Sequence, residues 1–139
     1  IEWQGKSRVP RRCSLSDAPP GLLRALPTSV GRVRAKVLNR WLRKHAGGIT
    51  SKDIRTWHAN AVYVGGVRQG QSHEQAVVRA ADALGHTPAT SKRNYLDPRV
   101  VRHGHAFFRS STPTHRAYMS PDESLLLGYL QGLATTPSR

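Results

Sequence analysis

Cysteine occurs once in the 139 residues, at Cys13, which excludes an intrachain disulfide and any cysteine-rich zinc site. The thiol is expected to be a semi-buried strand residue rather than a reactive group, which suits a reducing cytoplasm. Long apolar runs are missing as well. Nothing approaches the roughly 20 residues of a membrane span, and the first residues carry no signal-peptide pattern. A cytoplasmic protein with no membrane partner is expected. Acidic residues are few, 8 Asp plus Glu against 22 Lys plus Arg, and the net charge of +14 makes a polyanion the natural partner. Phosphate backbones attract such a surface whatever their sequence, with an affinity that falls steeply as salt rises. Charge alone does not separate DNA from RNA or from an anionic membrane, and ribosomal proteins and basic linkers share it.

The length suffices for one domain, or a large part of one, with a modest core. The chain begins at Ile1 rather than Met, so it is read as a fragment. Ile1-Glu2-Trp3-Gln4 alternates as a half-buried strand does, Gly5-Lys6-Ser7-Arg8 reads as a turn, and Val9 to Leu15 is a candidate return strand that Pro10 restricts to an edge. This predicts a small β-hairpin over 1–15. A loop from Asp17 enters a short helix closed by Pro27.

The remainder predicts a helical core over 31–109, a linker over 110–119 and a C-terminal helix over 120–134. From Gly31 to Ala46, Val33, Val37, Leu38, Trp41 and Leu42 share one helical face. Thr50 or Ser51 caps a helix into the Tyr63-Val64 region, with a break expected at Gly65-Gly66 because glycine costs about 1 kcal/mol per residue in a helix interior. His73 to Leu84 forms the next helix, ended by Gly85, and Thr87-Pro88 opens a short one that carries Tyr95. Asp97-Pro98 restarts a helix through about Phe108, and Ser120-Pro-Asp-Glu123 has a capping-box pattern before a leucine-rich run. The fold class expected is mostly α with a small N-terminal β-hairpin.

Two segments carry chemistry: Ile49-Thr-Ser-Lys-Asp-Ile-Arg55-Thr-Trp57, and Leu84-Gly-His86-Thr-Pro-Ala-Thr-Ser-Lys-Arg-Asn-Tyr95-Leu-Asp-Pro98. Together they resemble the active-site motifs of the type IB DNA topoisomerases, the bacterial and poxvirus branch, which share their catalytic fold with the tyrosine recombinases. In that family a Lys-Asp-x-Arg-Thr segment supplies an arginine, matched by Arg55. A Gly-His-Thr-Pro segment supplies a histidine nine residues before the tyrosine, matched by His86 and Tyr95. The resemblance is closest over Ile49 to Val101. Gly5-Lys6-Ser7 is also similar to the family's turn with a catalytic lysine, which implies a role for Lys6.

The chemistry explains the residue types. A phenol is a poor nucleophile toward a phosphodiester that already carries negative charge, so the transition state needs preorganised donors. Arg55 offers a planar fork to the non-bridging oxygens, His86 one more hydrogen bond, and Lys6 a proton for the departing 5′ oxygen. The resemblance implies a 3′-phosphotyrosyl intermediate, rotation of the downstream duplex and resealing without ATP or an obligatory metal. It also implies double-stranded DNA as partner, a monomer, and a nucleoid location. Lys52, Lys92, Arg93, Arg99 and Arg102 are candidate backbone contacts.

The family's further arginine, upstream of the hairpin lysine, has no counterpart here. The catalytic fold is therefore expected to be incomplete at its N-terminus, completed by missing N-terminal segments of the same polypeptide, and the isolated chain weak or inactive. Two alternatives stand beside this reading. A tyrosine recombinase would carry a His-x-x-Arg-His context where Lys52 and Thr56 occupy the histidine places. A DNA-binding remnant would hold duplex without cutting it. His103-x-His105 is set aside as a metal pair because residues i and i+2 of a helix point apart, and Trp41 and Trp57 are expected in the core.

Overall fold

The computed structural model describes residues 2–4, 10–12 and 35–135, and the chain divides into two units, Ile1–Val37 and Leu38–Arg139. In the first unit, β1 (Glu2–Gln4) and β2 (Pro10–Arg12) pair antiparallel, with Trp3 opposite Arg11 and Pro10 at the end of the ladder. The expected turn at Gly5-Lys6-Ser7, the thiol of Cys13 and the short helix after Asp17 lie outside the described residues.

The rest of the described chain is helical. Helix α1 (Ala35–His45) ends on Arg43, Lys44 and His45, cations that suit the negative end of the helix dipole. Gly47 and Gly48 then take positive φ and turn the chain away. Among the described residues of the expected apolar stripe, only Leu42 is buried. Trp41, expected in the core, is 58% exposed and instead lies against His45, ring centroids 5.1 Å apart. Pattern told which residues share a face, not whether anything covers it.

Helix α2 (Ser51–Arg68) is opened by Thr50, whose backbone N–H donates to Asp53 Oδ2 at 2.8 Å while its hydroxyl accepts from the Asp53 N–H. The break expected at Gly65-Gly66 does not occur: both glycines are buried inside one continuous helix. A Cβ on Gly65 would stand 2.5 Å from Asp122 Oδ2, and one on Gly66 3.3 Å from the Ala76 backbone. The missing side chains let two neighbouring helices approach, and that packing outweighs the propensity cost.

Helix α3 (His73–Leu84) starts at a Ser72–Gln75 capping box and ends at Gly85, in the left-handed conformation. Helix α4 (Pro88–Asn94) is capped by Thr87. The single helix expected from Asp97 to Phe108 is two, α5 (Pro98–His103) and α6 (His105–Ser110), divided at Gly104. Gly104 is buried under the Phe108 ring, and a Cβ there would lie 2.6 Å from the Val100 carbonyl oxygen, so only glycine allows this closeness. After a loop, α7 (Pro121–Thr135) begins with Ser120 and Glu123 bonded reciprocally.

Helix α2 is the hub, touching α3, α6 and α7. Its Tyr63, Val64 and Val67 meet Ala76 and Ala80 of α3, Val100 of α5, Phe108 of α6 and Leu125 and Leu126 of α7 in one buried cluster. Trp57 packs on the edge of this cluster, and its indole N–H donates to Glu123 at 3.0 Å, while Asp122 pairs with Arg68. Among the described residues no helix is long and apolar enough to cross a membrane.

Gly104→Ala is expected to lower stability by about 1–3 kcal/mol through overpacking. A urea denaturation midpoint equal to that of the parent would show that the α5–α6 junction has room to spare.

Candidate active site

Three elements deliver one side chain each to a single point. Thr50 starts α2, so Arg55 falls in its second turn. Gly85, at φ +65°, ends α3 with bonds from Gly85 N–H to the Asp82 carbonyl and from His86 N–H to the Ala81 carbonyl, both 2.9 Å. That paired closure fixes the direction in which His86 leaves the helix. Tyr95 is the C-cap of α4, with its N–H donating to the Ser91 carbonyl at 3.0 Å.

Arg55, His86 and Tyr95 meet there. Arg55 Nη2 lies 2.7 Å from His86 Nε2 and also donates to the Leu84 carbonyl at 3.2 Å. The His86 and Tyr95 rings stack 5.1 Å apart with 13° between their planes, and the Arg55 guanidinium carbon sits 5.2 Å from the centre of the Tyr95 ring. A cation over an aromatic face is attracted by the ring quadrupole. Arg55 is exposed, and His86 and Tyr95 are half-buried, so the group is held by the fold yet open to a large ligand.

The chemistry of this arrangement is that of an anion site beside a hydroxyl. Arg55 brings fixed positive charge, His86 a second ring that can donate, and Tyr95 a nucleophile within their reach. Lys6, the other catalytic candidate, lies outside the described residues. Lys52 is exposed one turn before Arg55, and Lys92 and Arg93 are exposed in the last turn of α4, immediately before Tyr95. Arg102 is exposed at the end of α5. Arg99 is exposed too, but its guanidinium is paired with Asp97 at 2.6 Å. Its charge is largely answered within the protein, which weakens its case as a backbone contact. Among the described residues no three His, Cys, Asp or Glu side chains cluster as a metal site would require, and the Gly104 junction falls between His103 and His105.

One residue that the sequence reading passed over is Asn60. It is buried, and all of its amide is used: Nδ2 donates to the Thr56 carbonyl at 2.8 Å and to the Tyr95 carbonyl at 2.9 Å, while Oδ1 accepts from the Asp97 N–H at 2.9 Å. It therefore clamps the backbone on both sides of Leu96 to the helix that carries Arg55. The signal was faint, a polar residue five positions after Arg55 on the way into an apolar stretch. Asp97 caps α5 through the Arg99 N–H at 2.8 Å, and its carboxyl is held below its ordinary 3.8, first by the side-chain bonds from Arg99.

No protein family, curated protein or solved structure matches the chain.

Asn60→Ala removes the side-chain partner of the Tyr95 carbonyl and of the Asp97 N–H, and is expected to cost about 1–3 kcal/mol; calorimetric melting within experimental scatter of the parent would contradict the clamp. For Asp97 the sign follows from a lowered folded value. Its contribution is present above the ordinary 3.8 and is lost as pH falls through the lower folded value. Asp97→Asn should therefore flatten part of the loss of stability below pH 3.8 in acid titrations, and an unchanged acid limb would exclude the linkage.

Proposed function

We propose that this chain is the catalytic end of a type IB DNA topoisomerase, with the catalytic fold that this family shares with the tyrosine recombinases. The observation that carries the reading is the convergence of Arg55, His86 and Tyr95, 31 and nine residues apart in sequence, within direct contact of one another. A net charge of +14 supports double-stranded DNA as substrate and partner, at the nucleoid.

In this mechanism the Tyr95 hydroxyl oxygen attacks a backbone phosphorus. The bond from phosphorus to the 5′ oxygen breaks, and Lys6 protonates that oxygen as it leaves. Arg55 and His86 donate to the non-bridging oxygens, where charge builds. The products are a 3′-phosphotyrosyl link and a free 5′-hydroxyl end. Because one phosphoester replaces another, the reverse attack reseals the strand without ATP, and rotation in between relaxes supercoils. Lys52, Lys92, Arg93 and Arg102 hold the backbone on either side.

The test uses the 139-residue chain in excess over supercoiled plasmid, without ATP or added metal, quenched with denaturant. Protein should be trapped on a 3′ end, slowly, and Tyr95→Phe should abolish it. An adduct that survives the substitution would overturn the reading. Arg55→Ala should lower trapping by about 100-fold or more while salt-sensitive binding persists. Equal loss of both would reduce Arg55 to an anchor.

A further inference from the structure

The contact between Arg55 and His86 brings together two groups that are both usually thought of as cations. A guanidinium has no acceptor, so at 2.7 Å His86 Nε2 must be the acceptor. The imidazole is then neutral, with its proton on Nδ1. The same bond disables Arg55 as a fork. Nη1 lies on the side of Cδ, so an end-on fork uses Nη1 with Nη2 and a side-on fork uses Nε with Nη2. Both need Nη2, whose two hydrogens are committed to the Leu84 carbonyl and to His86.

We propose, resting on the phosphodiester reading of this site, that the Arg55–His86 bond is a proton-controlled latch: binding of a phosphodiester is coupled to uptake of one proton by His86. Protonation removes the acceptor, releases Nη2 for the phosphate fork, and turns Nε2 into a second donor to the same anion. Without an anion, an imidazolium against a guanidinium is repelled; with one between them, both charges are answered. Among the described residues, the groups that face the imidazole include Arg55 from α2 and the Tyr95 phenol from the end of α4. Asp82 lies in the turn of α3 before His86, and Lys92 and Arg93 close α4. His86 itself stands past the C-terminal end of α3, where the helix dipole favours a positive ring.

Nitrogen-15 spectra of the imidazoles in the Tyr95→Phe chain, which keeps the stacked ring and cannot form the adduct, decide the matter. In the free chain at pH 7, His86 should be neutral with the proton on Nδ1. With a saturating short duplex it should carry both protons, its titration midpoint rising by at least about one pH unit, a tenfold change in proton affinity. In free Arg55→Ala/Tyr95→Phe the midpoint should already be raised. A proton on Nε2 in the free chain, or a midpoint unmoved by bound duplex, overturns the latch and leaves the strand-cleavage reading standing. Failure of the duplex to bind by gel shift removes both.

Discussion

Helices α3, α6 and α7 are placed by the passage of α2 through the core. Eight of its 18 residues are buried, and the two glycines among them leave the helix thin where α3 and α7 press against it. A bulkier residue at Gly66 would press on the Ala76 backbone of α3, and one at Gly65 would displace the Asp122 carboxylate. Because α2 runs unbroken from Ser51 to Arg68, Arg55 projects from the same helix whose second half is buried. The site therefore inherits its precision from packing some way from the chemistry.

The electrostatics run in the opposite direction to the packing. The core is sealed by paired groups: Arg68 with Asp122, Trp57 with Glu123, Arg99 with Asp97. At the candidate site the guanidinium of Arg55 meets the His86 imidazole, an aromatic face and a carbonyl. None of these partners carries a negative charge that would compete with an incoming phosphate. Lys52, Lys92 and Arg93 extend the positive surface on either side. Asn60 ties the two regimes together, because a fully bonded buried amide joins α2 to the backbone of Tyr95.

Local signals carried much of this into the sequence. Capping residues marked the starts of α2, α3, α4, α5 and α7, and Gly85 marked the end of α3, since each acts through bonds a few residues away. The trio Arg55, His86 and Tyr95 was picked out from the residues and spacing of two segments, and the structure brings the three side chains together. What escaped was set by contacts distant in sequence. Gly65 and Gly66 looked like breakers until Asp122 and Ala76 explained them, and the division of the expected 97–108 helix at Gly104 depends on Phe108 lying over it. Trp41 looked like core, yet amphipathic spacing cannot say which stripe finds a cover. Asn60 was passed over, for two of its partners are 35 and 37 residues away.

The central claim is that a tyrosine of this chain becomes covalently joined to DNA, and that it is Tyr95. The chain holds four tyrosines, of which Tyr118 is fully exposed and would be the favoured target of any non-specific chemistry, while Tyr63 is sealed in the core. Mass spectrometry of the nuclease-trimmed, protease-digested adduct identifies the attached residue directly. The account predicts a nucleotide remnant on the peptide that contains Tyr95 and on no other; a remnant on Tyr118 or Tyr129 would contradict it.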